Sequence, residues 1–368
     1  MKKSIAILSV LKPIDDPRQS LKIGKTLSEL GHDVHIFGRA VSHEIVSIKN
    51  ITFHPHFIEK RLSAKRFLLP LKLIKKIYQL KLDYIVVNSY EYQLIIFLYK
   101  ILFGAKIVYD VRENYGRNIR FQSKKNVLLK KTISFFINSF QLINVPFVYR
   151  FILAEKVYQK QLSYLPKKRT VVVQNKALFS ESKEKLNITL NHPLHFCITG
   201  TLSPQYMTEE CIRFFLRYQQ KFKTSKLTIA GYSPDSKFAR ILINKYRQHP
   251  SINMIGVDHS VAYTTILNVI KEAHIGFCFN QQNPSFYKKM PTKIFEYLQH
   301  QLIVLYDKNE VYHHVIQPYP AGISLDINEN DIKNINQKLT STVFYTSVPQ
   351  NVTWGEEEKN ILRSIFLD

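Results

Sequence analysis

The sequence has few of the features that mark secreted, metal-binding or disulfide-rich proteins. It has only three cysteines in 368 residues, and two of them, Cys197 and Cys278, lie in apolar runs typical of buried strands. This usage favours reduced thiols in a cytosol over a disulfide framework. No Cys or His pair with metal-ligand spacing recurs elsewhere, so we expect no metal site.

Long apolar runs are also lacking. The two longest, 94–103 and 133–152, are interrupted by Lys, Asn, Pro or Arg. Neither provides the roughly 20 apolar residues that a membrane-spanning helix needs. The first residues run straight into a predicted strand, without the small-residue cleavage site of a signal peptide. We therefore expect a cytoplasmic protein.

Acidic residues are scarce, because 28 Asp and Glu stand against 52 Lys and Arg, a net charge of +24. Residues 1–176 hold 32 Lys and Arg against 11 Asp and Glu, a balance of +21. Residues 177–368 hold 20 against 17, a balance of only +3. One half therefore carries nearly all of the excess, which indicates a functional asymmetry.

Lysine clusters that alternate with Leu, Ile and Phe carry much of this charge. They are typical of helices lying on anionic lipid headgroups, where each cation contributes about 1 kcal/mol; the alternative is an ordinary solvated helix face. Nucleic acid would also accept the charge, but no nucleic-acid-binding module is recognisable, so we predict no such partner. The predicted membrane-facing residues are Lys72, Lys75, Lys76, Lys124, Lys125, Lys130 and Lys131.

The chain alternates short β-branched and aromatic runs with longer amphipathic stretches, the pattern of βαβ units and parallel sheets. A polar stretch at 181–193 interrupts this pattern before it restarts. We therefore predict an α/β fold of two Rossmann-like domains facing across a cleft, at 1–180 and 194–350, joined by that linker. The helices predicted in the first half are 19–30, 64–80, 90–103 and 124–140.

Several segments of the second half resemble, in their order, the donor-binding half of group 1 (family 4) glycosyltransferases, which have the GT-B fold. The most specific segment is Pro291–Tyr297, followed by a strand and Asp307. The other segments of the second half are ITGTLSPQ, KLTIAGYSPD, INMIGVDHS and AHIGFCFNQQN. In the first half, the matching segments are DPR at 16–18, GHDV at 31–34, YDVRE at 109–113 and Asn175. Trp354 and the residues after it resemble the family's C-terminal helix, so 351–368 is expected to cross back to the first domain.

This resemblance implies a bacterial-type enzyme that moves a sugar from a nucleotide sugar to an acceptor. The acceptor would be a lipid-linked saccharide in surface polysaccharide or glycolipid synthesis, at the inner face of the cell membrane. The family's reaction commonly retains the anomeric configuration and needs no cofactor. Two alternatives stay open: a catalytically silent homologue that binds nucleotide sugar, and a sugar-nucleotide epimerase of the same architecture.

A nucleotide sugar presents a diphosphate and a ribose diol, so its site needs amide donors, positive charge and a carboxylate. Pro291 belongs in a first helical turn, where free N–H groups favour an anion. The resemblance implies that Glu296 accepts hydrogen bonds from the ribose hydroxyls. A glycine at position 200 lets the backbone approach phosphate. The predicted donor-binding residues are Gly200, Thr201, Lys289, Pro291, Thr292, Lys293 and Glu296.

The sequence departs from the family at several site positions. Lys288 stands where a sugar-facing glutamate is usual, and Thr201 and Tyr206 replace an Arg and a Lys that grip the diphosphate. We expect lysines at 288, 289 and 293 to supply that charge instead. Arg112 stands where the family has a histidine. Because a guanidinium is not a base near neutral pH, proton transfer there would fall to nearby carboxylates. The predicted catalytic residues are Asp110, Arg112, Glu113 and Lys288.

The resemblance also suggests a role for two arginines of the first half. Arg18 and Arg112 would steer the acceptor's phosphate if the acceptor is a lipid diphosphate. The alternative for both is an ion pair at a strand end.

Overall fold

The computed structural model describes residues 2–58, 64–93, 95–123, 126–180, 186–286 and 288–367. The chain divides into two compact units. The first comprises the residues up to Asn175 together with those from Trp354 onward, and the second is Lys176–Thr353. Each unit is built on its own parallel sheet.

The first unit has a parallel sheet of seven strands in the order β3-β2-β1-β4-β5-β6-β7. The chain order reverses between the neighbouring strands β1 and β4. Open α/β folds place ligands at the carboxyl ends of the strands beside such a switch point. The central strands are buried on both faces over most of their length, as their largely apolar composition favours. The strands are β1 (Ser4–Pro13), β2 (Asp33–Arg39), β3 (Ile51–His56), β4 (Tyr84–Val87), β5 (Lys106–Val111), β6 (Arg150–Leu153) and β7 (Thr170–Val172).

Helical segments connect these strands, and three of the predicted helices are divided. A π-helical segment, Arg18–Gly24, continues into α1, which Gly31 follows with a φ of +88°, the conformation of a helix C-terminus. The predicted helix 64–80 becomes a 3₁₀ turn and two short helices, and 90–103 divides in two. The helices are α1 (Lys25–Glu29), α2 (Leu69–Lys72), α3 (Ile74–Gln79), α4 (Tyr90–Gln93), α5 (Ile96–Phe103), α6 (Tyr115–Gln122), α7 (Val127–Asn144) and α8 (Tyr158–Gln161).

The last helix of the chain belongs to the core of the first unit. The indole N–H of Trp354 donates a hydrogen bond to the Thr26 hydroxyl at 3.1 Å. The Tyr84 ring lies 5.0 Å from the Phe366 ring in an edge-on arrangement. Leu362 is fully buried in the same cluster. This helix, α15 (Glu356–Phe366), is therefore held to the first sheet by apolar packing.

The second unit has a parallel sheet of six strands in the order β10-β9-β8-β11-β12-β13. Its chain order reverses between β8 and β11. The strands are β8 (His195–Thr201), β9 (Lys226–Tyr232), β10 (Ile252–Val257), β11 (Ile275–Cys278), β12 (Ile303–Tyr306) and β13 (Gly322–Ser324). The helices, with the terminal α15, are α9 (Thr208–Lys221), α10 (Ser236–Tyr246), α11 (Tyr263–Glu272), α12 (Thr292–Gln299), α13 (Glu310–Ile316), α14 (Ile332–Ser341) and α15 (Glu356–Phe366).

The segment predicted as a linker differs from the structure. Residues 181–185 lie outside the described residues, but 186–193 are part of the second unit. Ile188 exchanges backbone hydrogen bonds with Phe344 at 2.8 Å, and Leu190 is buried. The polar composition concealed this pairing because two apolar side chains are enough to anchor an extended segment.

Candidate functional site

Three glycines leave the backbone without side chains at the carboxyl edge of the second sheet. Gly200, Gly231 and Gly256 are paired in register across β8, β9 and β10. A Cβ on Gly231 would lie 1.8 Å from the Gly200 carbonyl oxygen, so no other residue fits there without backbone movement. A Cβ at Gly200 would meet no atom within 4 Å. This part of the edge is therefore open to a ligand's close approach.

Helix α12 begins beside the same edge, after the loop that follows β11. Pro291 is its N-cap residue and Thr292 its first helical residue. The side chain of Pro291 offers no hydrogen-bond acceptor to this terminus, and the positive end of the helix dipole favours an anion there. The Lys293 ammonium lies in this first turn, 5.7 Å from the ring centroid of Tyr206.

Glu296 is buried one turn further along α12. Its Oε1 accepts a hydrogen bond of 2.8 Å from the hydroxyl of Tyr263, the first residue of α11. Burial, and then the neighbouring Glu296, raise the pKa of Tyr263 above its ordinary value, so the hydroxyl remains a donor. The carboxylate is thus fixed in orientation, and sequence reasoning did not identify the tyrosine that fixes it.

The loop before α12 carries the two other predicted lysines. Lys288 is exposed and adopts a left-handed conformation with a φ of +61°. Lys289 is half-buried, and its N–H donates to the Phe286 carbonyl at 3.0 Å. Phe286 in turn packs its ring 5.6 Å from that of Tyr206. Both lysines therefore lie on a loop that contacts Tyr206, in the segment following β8. Thr201, the last residue of β8, is exposed.

Asp307 follows β12 at the same edge of the sheet. Burial raises its pKa to about 6, an effect that the nearby Asn280 N–H partly offsets. Its Oδ1 is buried and has no hydrogen-bond partner among the residues that the structure describes. In the sequence, Asp307 stands out only as the acidic residue that ends the Pro291–Tyr297 motif and its following strand. A buried carboxylate oxygen without a partner makes it a further candidate for contact with a ligand.

In the first unit, three buried charged residues and the half-buried Asp16 form an ion network at the carboxyl edge of the sheet. Arg18 donates to both oxygens of Asp110, at 2.7 Å from Nη2 and 3.0 Å from Nε, and to the Val173 carbonyl at 2.9 Å. Arg112 bridges Asp110 at 2.9 Å and Asp16 at 2.8 Å. The network therefore contains two cations and two anions.

This pairing keeps both carboxylates ionised. Burial alone would raise the pKa of Asp110, but Arg18 and Arg112 outweigh burial and lower that pKa. Burial would likewise raise the pKa of Asp16, but Arg112 and Lys12 lower that pKa below its ordinary value. Between them, Asp16 and Asp110 raise the pKa of Arg112 despite its burial.

The network departs from the roles that the sequence suggested for its members. Arg18 is buried and directs its guanidinium to Asp110 and a carbonyl, so the geometry favours the ion-pair alternative over contact with an acceptor phosphate. Asp110 is buried and paired, which leaves it poorly suited to accept a substrate proton. Arg112 is paired too, although its Nη2 has no hydrogen-bond partner. Glu113 differs, since it is half-buried and accepts 2.8 Å from the Asn118 amide.

Most of the predicted membrane-facing lysines lie at the surface of the first unit. Lys72, Lys75 and Lys76 are exposed on α2 and α3. On α7, Lys131 is exposed and Lys130 half-exposed. Lys124 and Lys125 lie outside the described residues. Among the helices that the structure describes, none is both long enough and apolar enough to cross a bilayer.

Replacing Asp110 with Asn tests the ion network. The variant leaves two buried guanidinium groups against one carboxylate, so we expect the first unit to lose about 3–5 kcal/mol of stability. Because the folded pKa of Asp110 is lowered, its contribution is present above about pH 4 and is lost as the pH falls through the folded value. Denaturant unfolding followed by the fluorescence of Trp354, the chain's one tryptophan, measures both effects.

The matched control is Asp33→Asn, whose partner Lys2 lies 2.8 Å away in an exposed pair. We expect it to change stability by less than about 1 kcal/mol. Equal unfolding midpoints for the two variants would contradict a stabilising role for the network.

Comparisons with known proteins identify structural neighbours but no sequence relatives. The sequence matches no protein-family model and no curated protein. Sucrose-phosphate synthase from Thermosynechococcus elongatus has a TM-score of 0.64 at 12% identity, over 99% of this chain and 95% of that one. WaaG, a glycosyltransferase involved in lipopolysaccharide biosynthesis, has a TM-score of 0.60 at 12% identity, over 98% and 95%.

A third neighbour is HepE from Anabaena, solved in complex with UDP-glucose. Its TM-score is 0.59 at 11% identity, over 99% of this chain and 95% of that chain. At such low identity the likeness establishes the fold alone. The predicted fold class is confirmed: the protein is an α/β protein with two Rossmann-like units and the GT-B fold of these glycosyltransferases.

Proposed function

We propose that this protein is a glycosyltransferase that moves a sugar from a nucleotide sugar to a saccharide acceptor. The observation that carries the proposal is the start of α12, where Lys293 and the fixed Glu296 carboxylate lie on one helix at the carboxyl edge of the second sheet. These groups match the diphosphate and the ribose diol of a nucleotide sugar.

In this proposal the donor's diphosphate binds at the N-terminus of α12. Backbone N–H groups in the first turn after Pro291 would donate to phosphate oxygens, and the helix dipole would favour their charge. The ammonium groups of Lys293, Lys289 and Lys288 would add the positive charge that the family supplies from other positions. Glu296, oriented by Tyr263, would accept hydrogen bonds from both ribose hydroxyls.

The proposed reaction breaks the bond between the anomeric carbon and a diphosphate oxygen and forms a bond to an acceptor hydroxyl. The main barrier is charge development on the departing diphosphate and on the sugar, which preorganised cations stabilise. We propose that the leaving phosphate takes the acceptor's proton, so the anomeric configuration is retained without a protein nucleophile. Lysine charge would serve in place of a metal ion. Glu113 is the remaining candidate for assisting the acceptor.

Features of three neighbours support this donor class. HepE is described with UDP-glucose, a trehalose-6-phosphate enzyme from E. coli with UDP-2-fluoro glucose, and starch synthase IV from Arabidopsis thaliana with ADP. All of these ligands carry a nucleoside diphosphate. We extend that class to this protein and leave the base and the sugar to experiment.

For the acceptor, we propose a lipid-linked saccharide used in surface polysaccharide or glycolipid synthesis. The exposed lysines of α2, α3 and α7 support binding to an anionic membrane surface. The likeness to WaaG, which acts in lipopolysaccharide biosynthesis, fits the same process. The protein would then act peripherally at the cytoplasmic face of a bacterial cell membrane.

An assay of nucleotide release tests the proposal. Purified protein is incubated with a panel of nucleotide sugars, with and without a polyprenyl-phosphate-linked saccharide and membranes, and with EDTA. We expect one donor to be consumed, in an acceptor-dependent and EDTA-resistant reaction. Tight nucleotide binding without turnover of any donor would favour a silent homologue, for which Lys288 in place of a glutamate is the specific reason. Isomerisation of free nucleotide sugar without an acceptor would identify an epimerase.

Replacing Glu296 with Ala tests the donor site. Loss of charge-assisted hydrogen bonds to the ribose should weaken nucleotide binding by about 30-fold, corresponding to about 2 kcal/mol. Tyr263→Phe removes the donor that orients the carboxylate and should cost about fivefold. Calorimetric titration with the nucleotide product measures both.

Glu272→Ala is the control, since this exposed glutamate lies at the opposite end of α11. It should leave affinity unchanged. Unaltered binding in the Glu296 variant would mean that the donor does not bind at α12.

Reversing three lysines tests the membrane surface. The triple variant Lys72→Glu, Lys75→Glu, Lys76→Glu should bind vesicles containing phosphatidylglycerol more than a hundredfold less tightly, since each cation contributes about 1 kcal/mol. A sedimentation assay with vesicles measures the partition.

The control reverses three exposed lysines of the second unit, Lys221, Lys223 and Lys237, and so changes the net charge equally. It should retain most binding. Equal release of both variants would show that total charge, not this surface, governs attachment.

A further inference from the structure

The polar and apolar sides of helix α7 are reversed relative to those of an ordinary surface helix. Its residues facing the first unit include three polar ones, whereas much of its outward side is apolar; soluble proteins normally place the apolar side inward. The buried residues are Ser134, Ile137, Gln141 and Asn144. The exposed apolar residues are Val127, Leu128, Leu129, Phe135, Phe136, Phe140, Leu142 and Ile143, with exposures from 39% to 76%.

The apolar surface continues onto two neighbouring helices. On α5, Phe97 and Ile101 are exposed, and the Phe97 ring lies 6.4 Å from Phe147, just after α7. On α3, the exposed Tyr78 lies 6.2 Å from Phe103 of α5. We call the exposed apolar residues of α3, α5 and α7 the apolar face. Contiguous apolar surfaces of this extent mark sites of interaction.

The charge around the apolar face identifies its partner. The segments that carry it, 60–82, 92–109 and 114–154, contain no Asp or Glu. A second copy of this chain would therefore bring two cationic surfaces together, which costs energy through like-charge repulsion. A bilayer with anionic headgroups matches both properties, since it offers acyl chains to the apolar side chains and phosphates to the lysines.

We propose that α7, with the apolar residues of α5, inserts into the interface of an anionic bilayer. The helix would lie in the plane of the membrane, with its apolar side chains below the headgroups and its lysines at their level. This proposal deepens the membrane attachment proposed above. It adds a hydrophobic contribution that does not depend on Lys72, Lys75 and Lys76 and does not require catalysis.

Two variants, each with one added tryptophan, test how deeply the helix inserts into the bilayer. Phe136→Trp places a reporter on the apolar face, and Ile241→Trp places one on α10 of the second unit, where Ile241 is 44% exposed. The native Trp354 is buried and gives a constant background. With phosphatidylcholine and phosphatidylglycerol vesicles, we expect a blue shift and quenching by acyl-brominated lipid for Phe136→Trp only. Vesicle binding without any such change would overturn the proposal.

A second variant measures the hydrophobic contribution. Phe135→Ser with Phe136→Ser should weaken partition about a hundredfold at high salt, where the attraction of lysines is screened. Nucleotide binding should stay unchanged, which separates this proposal from the donor site. Unaltered partition would overturn insertion. A lipid-free dimer that the same variant converts to a monomer would also overturn it, since a second copy would then cover the face.

Discussion

Parallel strand pairing is the constraint on which both units depend. A parallel connection must return the chain to the opposite edge of the sheet, usually through a helix, so all strands end at one edge. In the first unit this edge holds Asp110, at the end of β5, and Asp16, after β1. In the second unit this edge holds Gly200, Gly231 and Gly256 and the loop that leads to α12. One topological rule thus gathers groups that are far apart in sequence.

The two edges nevertheless differ in chemistry, because their side chains differ in how far they satisfy each other. The network of the first unit is closed: Asp110 accepts from two arginines, and its charge is matched at short distance. Within the part of the chain that the structure describes, the edge of the second unit keeps the N-terminus of α12, open space at Gly200 and an Asp307 oxygen without a hydrogen-bond partner. Unsatisfied groups of this kind are where a ligand gains most from binding. This difference supports the proposal that the donor binds to the second unit.

Much of the fold could be predicted because strand periodicity and helix signals are local. The order of strands and helices and the start of α12 near Pro291 follow from such signals. Contacts between distant residues do not: Arg18 and Asp110 are 92 positions apart, and only the sheet topology brings them together. The Tyr263 bond to Glu296 and the anchoring of Ile188 escaped prediction for the same reason.

Charge distribution connects the fold to its surroundings. The buried ion network is neutral in itself, since Arg18 and Arg112 balance Asp16 and Asp110. The excess of +21 in residues 1–176 must therefore come from charges outside that network. Exposed like charges repel one another and destabilise a compact state. An anionic surface would relieve that repulsion at the face where acidic residues are missing, which is also the face whose apolar side chains are exposed. Both features support the proposed membrane partner, because each is unfavourable in water alone.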